Sequence, residues 1–212
     1  IYCSRFVENT DHCFANHDRI AELNLYDSKA DRYFSGSPVP LAEELRTWAL
    51  GETEAISSVT YPRERPYYVE LSPEKTLPYE LETIEIDTCY NKIFTPEMVA
   101  GHWKMASQSL NSVILSQSMA IKIFGNAESA IGKHMTLMRR LNTSPESTPK
   151  TGGIVYTIQA VMKDIPLNNS LDFMQNIDML TVNDSEGLLQ SPKRHNICLL
   201  YTSPSPRDVE ES

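Results

Sequence analysis

The stretch from Gly125 to His134 resembles a phosphate-binding loop, in which a glycine-rich backbone and a lysine hold phosphate groups. Six residues separate its two glycines where that loop has four, and His134 stands where a magnesium-binding Ser or Thr is needed. Glu128 would also repel a phosphate. We therefore interpret the stretch as a structural turn. The sequence contains neither a GxGxxG nor a GxSxG motif.

Cysteine and histidine lie close together near the start of the chain, which could indicate a metal site. Cys13 stands between His12 and His17. The two histidines do not share a helix face, and no acidic or cysteine partner stands at ligand spacing. We therefore predict no metal site and no cofactor. A disulfide between Cys3 and Cys13 is open, because it depends on the redox state of the compartment.

A Ser/His/Asp triad is the other arrangement that the histidines could support. His102 and His134 lie in no motif that exposes a nucleophile, and we therefore predict no catalytic residue. Paired carboxylates could serve general acid–base chemistry. Two such pairs, Glu80/Glu82 and Glu85/Asp87, alternate along a strand pattern, and we interpret them as its solvated face.

Local patterns predict the elements that position these residues. Apolar residues at Leu41, Ala42, Leu45, Trp48 and Ala49 form one face of a helix, which Gly51 would end, and we place Trp48 in the core. We expect Thr95 to cap a short helix with Pro96 at its first position. Ser116 should cap another helix, which Gly125 ends. Strands are predicted at 20–26, 55–61, 67–71, 81–87, 112–115, 134–138, 154–162 and 171–180.

Few helices are therefore scattered among mostly short strands. This order predicts an α+β fold with two sheets or subdomains, and it disfavours a doubly wound parallel sheet. The 212 residues are 41% hydrophobic, which is enough for a core. The net charge of −9 without a basic cluster makes nucleic acid a poor partner. No apolar run approaches the roughly 20 residues that span a bilayer.

Both ends of the sequence are unusual. It begins at Ile1 without a signal-peptide pattern, so we expect a fragment or a processed chain. Residues 198–208 resemble one reading frame of a transposase adapter used in short-read sequencing libraries. We therefore expect a domain over 1–197 and a non-native tail over 198–212. The alternative is a Ser/Pro-rich disordered tail.

Five stretches, in order, resemble the MacB-like periplasmic core domain of FtsX-type ABC transporter permeases. The most specific is 113–125, VILSQSMAIKIFG, which is similar to the family pattern VVLSESLAKKLFG and is followed by AIGK at 130–133. Cys13, the pair Ala21-Glu22 and residues 49–54 depart from the family pattern. The other stretches are 12–20, 40–45, 86–94 with Gly101 after it, and 156–166.

This resemblance implies the extracytoplasmic domain of a permease subunit in the bacterial inner membrane, on its periplasmic side. It implies two α+β subdomains, one inserted in the other, and no catalytic residue in this region. ATP hydrolysis would belong to a nucleotide-binding domain in the same chain or in a partner subunit. Motion of this domain would then serve export, lipoprotein handling or signalling. A second permease copy and a periplasmic adaptor or lipoprotein are the other expected partners.

Two other classes of function remain open at this point. One is a stand-alone periplasmic binding or interaction module, and the other is a small hydrolase with an unrecognised site. The complete gene would discriminate between them. The transporter interpretation predicts one hydrophobic helix before Ile1 and three more after the domain.

Overall fold

The computed structural model of the chain describes residues 13–14, 17–34, 36–48, 53–72, 74–109, 111–137, 153–167, 169, 174, 176–182 and 195–202. No helix within these ranges is long and apolar enough to cross a membrane. The helices are α1 (Val39–Thr47), α2 (Tyr90–Phe94), α3 (Trp103–Ser107) and α4 (Gln117–Phe124). The strands are β1 (Ile20–Leu23), β2 (Leu25–Asp27), β3 (Arg32–Phe34), β4 (Ser37–Pro38), β5 (Thr53–Val59), β6 (Arg63–Ser72), β7 (Lys75–Ile86), β8 (Met98–Gly101), β9 (Ser112–Ser116), β10 (His134–Leu137), β11 (Ile154–Met162), β12 (Met179–Val182) and β13 (His195–Thr202).

Six strands close into a ring, in the order β7-β12-β9-β11-β10-β6 and back to β7. The long hairpin of β6 and β7 makes closure possible, because its two ends serve different neighbours. Tyr67 to Val69 of β6 pair with β10, whereas Thr83 to Ile86 of β7 pair with β12. The pairs β7–β12 and β9–β11 are parallel, and the other four are antiparallel. We call these six strands the ring.

The ring separates two hydrophobic clusters, because successive side chains of a strand point to opposite faces. Val113 and Leu115 of β9 belong to one cluster and Ile114 to the other. All six ring strands contribute to the first cluster, which α4 also joins through Met119 and Ile123. The second cluster packs the outer face of the ring against α2 and α3. The predicted α+β class is confirmed.

The remaining strands form an extension of the ring, made of β5, β13, β1 and β4 together with α1. Strand β13 lies between β5 and β1 and also pairs with β4, while β2 and β3 form a separate hairpin. The extension meets the ring at one ladder pair, Val59 opposite Ile86. Residues 198–202, which the sequence predicts to be non-native, are part of β13, and 203–212 lie outside the described residues.

Several local predictions are confirmed. Ser116 caps α4, since its Oγ accepts a hydrogen bond from the Met119 N–H at 3.4 Å. Gly125 ends that helix in a left-handed conformation with φ of 86°, and Gly132 forms a turn with φ of 78°. Strand β11 has the predicted bounds, and α1 covers most of its predicted range, whereas Gly51 lies outside the described residues.

Four local predictions differ from the structure. Trp48 is 62% exposed, because α1 ends at Thr47 and its apolar contact with the sheet is a small cluster around Ala42 and Leu45. Thr95 does not begin a helix: it ends α2 in a left-handed conformation, and pairing with β11 makes the following segment a strand. Of the strand predicted at 171–180, Met179 and Leu180 belong to β12, whereas Met174 and residues 176–178 are not in a strand. The strand predicted at 20–26 is interrupted at Asn24.

Candidate functional site

The residues that the sequence singled out for catalysis do not form a site. His102 and His134 are both exposed; His102 precedes α3, and the His134 ring lies 3.2 Å from Thr157 Oγ1. Across the described ranges, no group of three His, Cys, Asp or Glu side chains is arranged to hold a metal ion. His12 and Cys3 lie outside those ranges, so the structure does not decide whether Cys3 and Cys13 form a disulfide.

A cavity of about 370 Å³ lies where four segments meet. We call it the aromatic cavity. The segments are the turn at Cys13-Phe14, helix α2, the loop 95–97 that follows α2, and the loop 163–166 that follows β11. Its lining comprises Cys13, Phe14, Tyr90, Phe94, Thr95, Pro96, Glu97, Lys163, Asp164, Ile165 and Pro166.

Three aromatic rings form one wall of this cavity. The ring of Phe94 packs edge-on against Phe14, with centroids 5.1 Å apart, and at 4.8 Å against Tyr90. All three side chains are at least 95% buried. The buried hydroxyl of Tyr90 lies 3.7 Å from Met174 Sδ, and burial raises the pKa of this tyrosine well above its usual range. The wall is therefore rigid and apolar.

The rim of the cavity is charged. Lys163 Nζ lies 3.2 Å from Glu97 Oε2, and both side chains are mostly exposed, at 62% and 71%. The backbone joins the same two residues, since Lys163 N–H donates to the Glu97 carbonyl oxygen at 2.8 Å. Asp164 Oδ1 accepts a hydrogen bond from the Ser118 N–H at 3.0 Å. Two carboxylates and one ammonium thus surround the opening.

Thr95 at this rim has φ of 39°, which places a β-branched residue in the left-handed region. Such a backbone is uncommon and costs roughly 1–2 kcal/mol. The Thr95 N–H donates to the Asn91 carbonyl oxygen at 3.3 Å and so completes the end of α2. Pro96 and Glu97, which follow this turn, both line the cavity.

The carboxylates Glu85 and Asp87 are buried, so their predicted place on a solvated face is wrong. Asp87 accepts hydrogen bonds from Ser57 Oγ at 2.8 Å, from the Ser58 N–H at 2.7 Å and from the Cys89 N–H at 3.0 Å. Arg46 of α1 donates to the same carboxylate through Nη2. Asp87 therefore joins α1 and β5 of the extension to the end of β7 in the ring.

Glu85 lies on the inner side of the ring with Tyr67. It forms an ion pair with Arg65 at 2.9 Å. Burial, followed by the nearby Glu85 charge, raises the pKa of Tyr156, and Arg65 opposes this effect. Burial also raises the pKa of Tyr67 to about 12. Glu80, by contrast, is exposed and Glu82 is partly exposed, as predicted.

The sequence did not indicate the aromatic cavity, although its walls come largely from three stretches that carry the family resemblance. Phe14 lies in one stretch, residues 90–94 end the second and residues 163–166 end the third, so the segments are distant from one another in the sequence. The periodicity of the sequence identifies each helix or strand, but it does not show that these segments lie together in the fold. Chemically, an apolar wall with a charged rim can bind a ligand.

No protein-family model matches the chain, and no curated protein sequence matches it significantly. Solved structures do match. A domain assigned to a permease protein from Porphyromonas gingivalis has a TM-score of 0.68 at 22% identity. That match covers 93% of this chain and 82% of the other.

Two further structures share the fold. The periplasmic region of MacB from Actinobacillus actinomycetemcomitans gives a TM-score of 0.59 at 14% identity, covering 98% of this chain and 85% of that one. The extracellular domain of the noncanonic ABC-type transporter YknZ from Gram-positive bacteria gives 0.54 at 12% identity, covering 90% and 87%. The expected MacB-like periplasmic core fold is confirmed.

Proposed function

We propose that this chain, which has the fold of the extracytoplasmic domains of ABC transporters, is such a domain of a permease subunit. In this proposal, it couples ATP hydrolysis on a cytoplasmic nucleotide-binding domain to conformational change in the periplasm. The change serves export or lipoprotein handling. The partners are the ATPase domain or subunit, a second permease copy and a periplasmic adaptor or lipoprotein, and the chain itself carries no catalytic residue.

The observation that carries the proposal is the length of the structural match. A likeness that covers 93% of this chain and 82% of a permease domain extends over the whole architecture, beyond any single supersecondary motif. The five stretches of family resemblance support it independently, since they were identified from residues alone. In the structure, Ser116 and Gly125 of the most specific stretch serve as helix cap and helix stop, which makes them determinants of the fold.

The complete gene tests the proposal through topology. We expect one hydrophobic helix upstream of residue 1 and three downstream of the domain, with a nucleotide-binding domain in the same chain or an adjacent gene. A start codon and a signal peptide with no membrane helix would contradict the permease assignment. That result would favour the stand-alone periplasmic binding module.

A biochemical test follows once the full-length protein is in hand. We expect the permease, reconstituted with its nucleotide-binding domain, to hydrolyse ATP at a rate that depends on this domain. The most informative variant is Arg46→Met with Asp87→Asn, which removes both charges of the ion pair that joins the extension to the ring. Turnover that depends on this domain should fall while nucleotide binding is unchanged. The control is Glu74→Gln, which removes an exposed charge in the turn between β6 and β7. Equal coupling in all three proteins would contradict the proposed role of domain motion.

A further inference from the structure

Beyond the transporter assignment, we propose that the aromatic cavity binds a segment of a partner protein in which an apolar side chain stands next to Lys or Arg. The apolar side chain enters the cavity and the cation remains at its rim. The first part of the argument is the shape of the site. Its volume of about 370 Å³ is near the lower end of ligand cavities, which run from roughly 300 to 1,000 Å³. One aromatic or branched side chain, with part of a neighbour, fills such a space.

The second part is the composition of the wall. Phe14, Tyr90 and Phe94 contact one another and are almost fully buried, so the wall exists before any ligand arrives. Pro96 and Ile165 add apolar surface nearer the opening. A preformed apolar wall lowers the ordering cost of binding, and it excludes a strongly hydrated group from the cavity itself.

The third part is charge complementarity at the rim. Glu97 and Asp164 carry two negative charges against the single positive charge of Lys163, and the whole chain has a net charge of −9. The electrostatic field of the rim and that of the whole chain both attract a cation and repel an anion. The Glu97–Lys163 pair is exposed on both sides, and such pairs contribute only about 0–1 kcal/mol. A cation of the ligand can therefore displace Lys163 from Glu97 at little cost.

The arrangement of wall and rim identifies the kind of ligand. The rings lie deep and the charges lie at the mouth, so apolar group and cation must reach different depths. Adjacent residues of a peptide meet this requirement, because the long flexible side chain of Lys or Arg can bring its charge to the rim while the neighbouring apolar side chain enters the cavity. The flanking backbone then crosses the loops 95–97 and 163–166.

Titration of the ¹⁵N-labelled 212-residue chain with short blocked peptides tests the proposal. The probes are acetyl-Phe-Lys-amide, acetyl-Phe-Glu-amide, acetyl-Gly-Lys-amide and 2-phenylethylamine, followed by two-dimensional NMR at low salt. We expect acetyl-Phe-Lys-amide to bind most tightly, by about five-fold over the Glu peptide, with shifts at Phe94, Thr95 and Ile165. Shifts confined to other parts of the chain would overturn the proposal. Equal affinity for 2-phenylethylamine would overturn the assignment to a peptide.

Two rim variants test whether negative and positive rim charges have opposite effects on the affinity. Glu97→Gln should weaken binding of acetyl-Phe-Lys-amide about three- to five-fold, because it removes an attractive charge. Lys163→Gln should strengthen it by a similar factor, because it removes a competing cation. Glu74→Gln, in the exposed turn between β6 and β7, is the matched control and should change nothing. Identical affinities in all four proteins would overturn the proposed role of charge. Because the result concerns a binding site only, its failure would leave the topology test of the transporter assignment intact.

Discussion

Asp87 accepts four hydrogen bonds at the junction of ring and extension. Its carboxylate receives hydrogen bonds from α1, β5 and the start of α2. The alternating pattern of β7 suggested a solvated position, because alternation identifies a face without saying what covers it. Arg46, which completes the site, is 41 positions away in the sequence. Contacts of such long range are invisible to local periodicity.

Arg46→Met should destabilise the chain by roughly 3 kcal/mol, since it leaves a buried carboxylate without its cation. Urea unfolding measures the change. Adding Asp87→Asn should recover part of the loss, because the amide carries no charge and its oxygen can still accept a hydrogen bond from the donors around Asp87. Lys163→Met, which breaks an exposed pair, should cost under about 1 kcal/mol. Similar losses from Arg46→Met and Lys163→Met would contradict the assigned burial of Asp87.

The raised pKa of Tyr67 leads to a prediction about stability at alkaline pH. Its folded-state pKa of about 12 exceeds the ordinary value of 10, so above pH 10 the unfolded chain loses this proton before the folded chain does. Stability should therefore fall as pH rises from 10 to 12, by roughly 2–3 kcal/mol from this residue. Tyr67→Phe should reduce the slope of unfolding free energy against pH. Parallel curves for both proteins would refute this account.

At the scale of elements, the sequence predicts well what short-range chemistry decides. The stretch from Ser116 to Gly125 carries its own cap, apolar face and stop, and the helix forms as predicted. Predictions fail where pairing with a strand that is distant in the sequence determines the local structure. Thr95 and Pro96 resemble the start of a helix, but pairing of β8 with β11 determines the outcome. The prediction for Trp48 fails for a similar reason, because the apolar cluster between α1 and the sheet is small and does not include Trp48.

Gly101 and Gly125 both have positive φ, yet their replacement by alanine should have different effects. At Gly125 nothing lies within 4 Å of an added Cβ, so Gly125→Ala should cost only about 1–2 kcal/mol of backbone strain. At Gly101 the Cβ would meet the Gln159 carbonyl oxygen and lie 2.8 Å from Ala160 Cα. Gly101→Ala should therefore cost about 4 kcal/mol by separating β8 from β11. Thermal unfolding compares the two, and equal losses would argue against this close pairing.

At the scale of the whole molecule, the sequence anticipated the α+β class and the family fold, but not the closed ring. Closure depends on β6 and β7 bending so that each end of the hairpin finds a different neighbour. The sequence indicates roughly where β6 and β7 lie, but it does not indicate how they curve. The separation of a ring from an extension likewise follows from pairings between strands that are distant in sequence.

The last strand gives a prediction about the gene. Recovery from an independent library should replace residues 198–212 with different sequence, since we propose that they are adapter-encoded. The replacement should still alternate as a strand, because β1 and β5 would otherwise expose two edges where β13 lies. Sequencing checks both statements. Finding 198–212 unchanged would refute the adapter origin.

The single ladder pair between β5 and β7 has a mechanical consequence. Each strand of the ring has a partner on both sides, so a load on the ring is shared among six ladders. The extension is held by Val59 opposite Ile86, by two hydrogen bonds between Thr60 and Glu85, by apolar contacts around Ala55 and by the Asp87 carboxylate. We therefore expect force applied across the molecule to distort this junction before it distorts the ring.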